Sequence, residues 1–183
     1  YHIDSQRKVV VIVMGSLGSA SINKTMADAL KKMENAPYDV IYATGKTHYD
    51  EMMKMCGPLS STIHIVPYID DMPSVLASSD LAVSRAGATT LAEITSLGTP
   101  AILIPSPYVV ANHQEYNARE LCDQGAAVMI LEKDLDGDRL VKTIDSIMND
   151  KAKAYALKEA AIKLGKPQAC HDIYQEILRL VEK

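Results

Sequence analysis

Short apolar runs alternate with longer amphipathic segments along most of the chain. The apolar runs are rich in β-branched residues and contain few polar positions, which is typical of parallel strands buried on both faces. Six such strands are predicted, at 8–14, 38–44, 62–68, 80–84, 100–106 and 126–131. The segments between and after them have helical spacing, and the predicted helices cover 22–33, 48–56, 70–79, 90–98, 112–125 and, with a break near 165–167, the chain from 136 to the end.

This alternation predicts an α/β fold with one doubly wound, Rossmann-like parallel sheet of six strands. Right-handed crossovers give the default strand order 3-2-1-4-5-6. Strands 1 and 4 are then neighbours, and the loops at their carboxyl ends diverge to leave a crevice in which ligands of such sheets bind. The 183 residues fit a single domain, since no linker, repeat or low-complexity segment divides them.

Composition narrows the classes of partner. The net charge of −4 argues against a nucleic-acid-binding surface. The three cysteines, Cys56, Cys122 and Cys170, lie far apart and outside any Cys/His cluster, so we expect no metal site and a reducing compartment. We expect no signal peptide, and no apolar stretch comes near the roughly 20 residues of a spanning helix. The chain begins at a tyrosine, which suggests a fragment of a longer protein.

Two loops of small residues fall at the predicted crevice. They are "MGSLGSASIN" (14–23) after strand 1 and "SRAGATT" (84–90) after strand 4, and both lead into helices. Small side chains let a ligand approach the backbone, and the first amides of a helix form an anion site together with the helix dipole. Such turns can also serve only as tight corners. Two of them at one switch point favour phosphate binding, with Gly15, Gly18 and Gly87 as the phosphate-loop glycines.

The spacing of the glycines excludes two familiar nucleotide motifs. Gly15 and Gly18 are spaced G-x-x-G, and strand 2 ends in "ATGKT" without an acid, so a dinucleotide fingerprint is not met. The chain also lacks G-x-x-x-x-G-K-[ST], the phosphate loop of a large class of nucleotide hydrolases.

Glu93 is the one acid near the second loop, three residues after Thr90 and in the predicted first turn of its helix. A carboxylate there can accept two hydrogen bonds from a vicinal diol such as a ribose. It can equally complement the helix dipole, an effect of a few tenths to about 1 kcal/mol. Thr90 either caps the helix or touches a phosphate.

The loop after strand 5 (105–118) supplies His113, Gln114 and Asn117, whose side chains suit the hydroxyls of a sugar. The alternative is an ordinary polar helix start with Asn112 as its N-cap. His113 could act as a base, but no acid of the motif is placed to orient it, so a Ser-His-Asp arrangement finds no support.

Five blocks together resemble the C-terminal, donor-binding domain of the MurG family of bacterial glycosyltransferases. The R-x-G-A-x-T-x-x-E core followed by N-H-Q is specific to this group, and the resemblance runs from about residue 8 to the end. The blocks are "GSLG", "YIDDM", "SRAGATTLAEI", "GTPAILIPSP" and "NHQEYNA". The family transfers N-acetylglucosamine from UDP-N-acetylglucosamine to lipid-linked muramyl-pentapeptide (lipid I to lipid II) in peptidoglycan synthesis, and its fold is a two-domain GT-B fold.

The resemblance implies roles at the nucleotide end of the donor. Ser16 would contact the diphosphate, Ile69 would offer its backbone to the uracil edge, and Met72 would line the uracil pocket. The helix N-terminus that meets the phosphates would be presented by Ala88, Thr89 and Thr90. The chain departs from the family in its first turn, where Met14 replaces the usual glycine before Gly15.

The resemblance also implies roles for residues that would bind the ribose and the transferred sugar. Glu93 would hold the ribose diol, and Gln114 with His113 would bind hydroxyls of the transferred sugar, although many relatives have Gln where His113 stands. Arg85 would either brace the loop or approach the diphosphate.

The resemblance further implies what the 183 residues do not contain. Residues 1–183 would be a single donor-binding domain, and the catalytic base, the acceptor site and the membrane-facing patch would lie in an absent N-terminal domain. Transfer would be inverting, with neither metal nor cofactor, on the cytoplasmic face of the cell membrane, and this fragment alone would be inactive. Alternatives are a small subunit of a two-subunit UDP-N-acetylglucosamine transferase, half of a UDP-sugar epimerase, or a UDP-sugar-binding module without activity.

Overall fold

A computed structural model describes residues 3–4, 6–15 and 20–181. One parallel sheet of six strands runs through the centre, in the order β3-β2-β1-β4-β5-β6. The predicted fold class and strand order are therefore confirmed. The strands are β1 (Lys8–Val13), β2 (Tyr38–Ala43), β3 (Ile63–Val66), β4 (Leu81–Ser84), β5 (Ala101–Leu103) and β6 (Ala127–Met129).

Helices cover both faces of the sheet. They are α1 (Asn23–Lys32), α2 (Tyr49–Cys56), α3 (Met72–Ala77), α4 (Ala88–Leu97), α5 (His113–Asp123), α6 (Gly137–Met148), α7 (Lys151–Leu164) and α8 (Ala169–Val181). Helices α1, α2 and α6 contribute to one apolar core, while α3, α4 and α5 contribute to the other. Short 3-10 turns precede α1, α5 and α6, and the last of these turns spans Glu132–Asp134.

The central strand explains why the apolar runs lack polar positions. In β1, Val10 and Ile12 face one core and Val11 faces the other, and all three have no exposed surface. The strand pairs with β2 on one side and with β4 on the other. Burying each such side chain contributes about 1.5–3 kcal/mol, so the centre of the sheet is strongly stabilised.

Several helix boundaries differ from the predictions by one or two residues, and two differences are informative, one of them for function. Helix α4 begins at Ala88 rather than at residue 90, because Gly87 takes the N-cap position without a side-chain hydrogen bond. Helices α6 and α7 are separate, since α6 ends at its C-cap Asn149 and Asp150 caps α7 by accepting from the Lys153 amide at 3.0 Å. The sequence predicted one continuous helix there, and this was wrong.

The final helix stands apart from the cores. The predicted helix after residue 167 is confirmed as α8, but none of its residues is buried. Among the described helices, none has both the length and the apolar character needed to cross a bilayer.

Candidate functional site

The carboxyl edge of the sheet holds a cavity of about 470 Å³ between the ends of β1, β2 and β3 and the first turns of α3 and α4. Six residues predicted to bind the donor or to form the phosphate loop line it together: Gly15, Ile69, Met72, Thr89, Thr90 and Glu93. These residues come from three separate loops, so the predicted crevice beside strands 1 and 4 is a real concavity.

The N-terminus of α4 is the part of this site best suited to an anion. Gly87 is its N-cap, in an extended conformation, and the first intrahelical bond runs from the Leu91 amide to the Gly87 carbonyl at 3.0 Å. The amides before Leu91 therefore have no intrahelical acceptor. Ala88 and Thr89 are exposed and Thr90 is half-buried, so these amides are open to a ligand. The suggestion that Thr90 caps the helix was wrong, because Thr90 is the third helical residue.

Glu93 lies one turn further into α4 than the sequence predicted. Because the helix begins at Ala88, Glu93 belongs to the second turn, and the first turn has no acid. The favourable effect of the dipole falls off beyond the first turn, which weakens the interpretation of Glu93 as a dipole complement. Its half-buried side chain lines the cavity instead, where a hydroxyl-bearing ligand could reach it.

The far end of the cavity is built from the segment after β3. Ile69 is 4% exposed and belongs to the second core, so its side chain is held in the protein interior at the border of the cavity. Tyr68 is 43% exposed and lines the cavity, and the Lys46 ammonium lies 5.3 Å from the centre of its ring. Tyr68 lies within the motif "YIDDM", which by itself indicated no role for its ring. A flat aromatic ring at this position is suited to stacking on a base.

Helix α3 begins directly after this segment and is fixed by Asp71. The Ser74 amide donates to Asp71 Oδ1 at 3.1 Å, which makes Asp71 the N-cap. Hydrogen bonds from the Ser74 side chain and then from its backbone lower the pKa of the Asp71 carboxyl below its ordinary value of 3.8. The cap places Met72 at the first helical position, on the wall of the cavity.

The strand-1 loop is described only in part. Gly15 lies in the left-handed region with φ of +86°, a conformation that side chains other than glycine rarely adopt. Ser16 and Gly18, two of the residues predicted to meet the diphosphate, lie outside the described residues.

Arg85 is buried and makes its contacts with the protein. Its guanidinium Nη1 lies 2.6 Å from Glu132 Oε2 and donates to the Ile104 carbonyl at 3.1 Å. Of the two roles that the sequence left open, these contacts match the bracing of the loop. Glu132 belongs to no motif and was not predicted as a site residue, because its pairing with Arg85 appears only in the folded structure.

The residues predicted to bind the sugar are not among those that line the 470 Å³ cavity. The exposed His113 has Nδ1 at 2.9 Å from the Val110 carbonyl. Gln114 Oε1 accepts from the Ser106 amide at 2.9 Å, which leaves its NH₂ group as the end that could donate to a ligand.

Two asparagines near the start of α5 make hydrogen bonds that were not predicted. Asn112 does take the N-cap position of α5, but with φ of 51° and no capping bond, and its side chain donates to Glu115 Oε2 at 2.7 Å instead. Asn117 donates from Nδ2 to the Ala86 carbonyl at 3.1 Å. This bond links α5 to the loop that precedes α4.

Comparison with known proteins gives a consistent set of relatives. The family described as "Glycosyltransferase family 28 C-terminal domain" matches residues 9–173. The chain is 48% identical over 180 residues to a Bacillus cereus protein named UDP-N-acetylglucosamine--N-acetylmuramyl-(pentapeptide) pyrophosphoryl-undecaprenol N-acetylglucosamine transferase 1. A protein of Exiguobacterium sibiricum with the same name, apart from the final number, is 40% identical over 183 residues.

These matches cover nearly all of this chain but not of the relatives. The match to the Bacillus cereus protein covers 97% of this chain and 49% of that protein. The match to the Exiguobacterium sibiricum protein covers 100% of this chain and 50% of that protein, so the chain spans about half the length of both relatives. Among solved structures, the crystal structure of Acinetobacter baumannii MurG superposes with a TM-score of 0.83 at 26% identity, over 95% of this chain and 52% of that one. The resemblance drawn from the sequence motifs is therefore confirmed.

Proposed function

The chain belongs to the glycosyltransferase family 28 C-terminal domain family, and from that premise we propose that it is the donor-binding half of a hexosyltransferase that uses UDP-N-acetylglucosamine. One observation carries the proposal: the open amides of α4, the Glu93 carboxylate and the backbone beside Tyr68 border one cavity of about 470 Å³. The cavity therefore combines sites suited to an anion, to hydroxyl groups and to a flat ring. These match the diphosphate, the ribose and the base of a nucleoside diphosphate.

In this proposal the nucleotide lies across the carboxyl edge of the sheet. The uracil edge meets the Ile69 backbone beside Tyr68, and the ribose diol is held by Glu93. The diphosphate lies on the amides of Ala88, Thr89 and Thr90, with the Gly15 loop opposite. The sugar extends past α4 towards α5, where the Gln114 NH₂ group and His113 read its hydroxyls.

The chemistry that this half supplies is stabilisation of the leaving group. When the glycosidic bond to the diphosphate breaks, negative charge grows on the phosphate oxygens, and preorganised amides with the helix dipole stabilise that charge. Neither a metal nor a cofactor enters this step. No residue of this chain is assigned as the catalytic base, which we place in the other half of the protein.

The two relatives carry the name of a transferase acting on undecaprenol-linked muramyl-pentapeptide. For the whole protein we therefore propose transfer of N-acetylglucosamine to that lipid in peptidoglycan synthesis, at the cytoplasmic face of the cell membrane. The other half would bind the lipid and contact the membrane. This half would contact neither the membrane nor nucleic acid.

Calorimetry with UDP, UDP-N-acetylglucosamine and ADP in a buffer with EDTA tests the proposal. We expect the two uridine compounds to bind and ADP to bind much more weakly. Glu93→Ala should lose about 1–3 kcal/mol of binding free energy, because it removes charged hydrogen bonds to the ribose. The control is Glu159→Ala, which changes an equally half-buried glutamate on α7.

Three results would contradict parts of this proposal. Absence of UDP binding removes its physical basis, and binding that requires a divalent metal contradicts metal independence. Sugar transfer by the 183-residue chain alone would show that it is a complete subunit rather than a donor-binding half.

A further inference from the structure

Three side-chain contacts hold the loop between β4 and α4 from the side of β5, β6 and α5. Arg85 donates to the Ile104 carbonyl just after β5, and it pairs with Glu132 in the turn after β6. Asn117 of α5 donates to the Ala86 carbonyl. These contacts anchor the two residues directly before Gly87, the N-cap of α4.

The Arg85–Glu132 pair is the charged member of this set and the most enclosed. The side chains are 8% and 11% exposed, and the nitrogen and oxygen lie 2.6 Å apart. A buried charge without its partner is strongly unfavourable, so each member of such a pair fixes the place of the other. Glu132 therefore determines where Arg85 lies, and Arg85 continues directly into the backbone of the loop.

The consequence concerns the geometry of the anion site. The amides of Ala88 to Thr90 can stabilise one diphosphate only if they converge on it, and displacements near 1 Å weaken such sites strongly. The strands beneath are already held by their ladders, which pair β4 with β1 and β5 without help from Glu132. Removal of the pair therefore affects the loop more than the sheet.

We propose that Glu132 is a positioning residue for the donor site: through Arg85 it holds the loop after β4 so that the α4 amides converge on the diphosphate. This inference rests on the proposed function for its ligand. The claim that Glu132 holds the loop in place is independent of the proposed function, because the position of the loop can be measured without any ligand.

The experiment compares Glu132→Gln with Glu132→Asp in the 183-residue chain. Glu132→Gln removes the charge at constant size, and we expect the affinity for UDP to fall about tenfold or more. In the ligand-free protein, the Leu91 amide, which bonds to the Gly87 carbonyl, should exchange its hydrogen faster. Glu132→Asp keeps the charge and should lie between the wild type and Glu132→Gln in both measurements.

A control separates positioning from general stability. Asp39→Asn removes the acid of another ion pair, in which Arg7 Nε lies 3.0 Å from Asp39 Oδ1 at the start of the sheet. It should lower Tm while leaving UDP affinity and Leu91 exchange unchanged. In an Arg85→Met background, Glu132→Gln should no longer weaken UDP binding, because Glu132 acts through Arg85.

Unchanged UDP affinity and unchanged Leu91 exchange in Glu132→Gln would overturn the inference, as would an undiminished effect in the Arg85→Met background. Should Glu132→Gln fail to fold, Glu132→Asp decides the question by the same two measurements. If the wild type does not bind UDP, the proposed function fails, and Leu91 exchange still decides whether Glu132 holds the loop.

Discussion

Gly87 has no side chain although the described residues around it leave room for one. Its φ of −73° suits any residue, and a Cβ built there would meet no described atom within 4 Å. Gly98 at the other end of α4 differs, because it has φ of +67° and its Cβ would lie 2.5 Å from Ile162 Cγ1. The fold thus requires glycine at 98, whereas at 87 the described residues leave open space, which a ligand at the proposed anion site could occupy.

Gly87→Ala should therefore keep the fold, with only the modest loss of stability that a poorer N-cap residue causes, and should bind UDP less tightly, by about tenfold or more. The added methyl group enters the space beside the α4 amides and displaces the diphosphate. Gly57→Ala is the matched control, since Gly57 has open space but a φ of +66° that strains alanine. It should lower Tm and leave UDP binding intact. Tight UDP binding by Gly87→Ala would show that the phosphates lie elsewhere.

Single residues also mark the limit of what the sequence predicts. Six of the residues that the motifs singled out line one cavity, because loops at the carboxyl ends of neighbouring strands meet at the same edge of the sheet. The letters could not reveal the partner of Arg85, because Glu132 stands two strands later beside a charged run. A pairing between distant loops depends on the final geometry and leaves no local pattern.

At the level of elements, long periodic segments were predicted well and short or uncapped ends were not. The strand order follows from crossover handedness, which holds for any alternating chain of this kind. The start of α4 was missed because Gly87 offers no capping side chain. The break between α6 and α7 was missed because only Asn149 and Asp150 separate them, and apolar spacing continues across the gap.

Helix α3 offers an element-scale prediction with a defined pH dependence. The folded state lowers the pKa of Asp71, so its cap contributes stability above about pH 4 and loses that contribution as the pH falls through the lowered value. Asp71→Ala should lower Tm at neutral pH, and the difference from the wild type should shrink in acid. Asp71→Asn keeps an accepting oxygen without titrating, so its Tm should show less acid dependence. Equal acid dependence of all three proteins would show that Asp71 does not cap α3.

On the scale of the whole molecule, the site uses backbone more than side chains. The sheet collects loops from β1, β3 and β4 at one edge, and the dipole of α4 points at the same place. Such an arrangement can hold a leaving group but contains no assigned base. A site that can hold a leaving group without an assigned base agrees with a chain that spans about half the length of its relatives.

Helix α8 marks where the folded body of this half ends. None of its residues is buried, Leu178 is half-buried, and five large apolar residues are 52–73% exposed, namely Ile173, Tyr174, Ile177, Leu180 and Val181. A helix that buries so little adds little to the free energy of unfolding, since stabilisation follows the apolar area removed from water. The core is instead closed by α7, where Leu157 and Ala161 are buried.

Deletion of residues 169–183 should therefore leave both Tm and UDP affinity close to those of the whole chain. The contrasting variant is Leu157→Ala, which opens a cavity under α7 and should cost about 2–5 kcal/mol of unfolding free energy. Thermal and urea unfolding of the two variants, followed by UDP calorimetry, makes the comparison. A large loss of stability on deletion would mean that α8 packs against this body in solution, and the apolar stripe would then be part of its core.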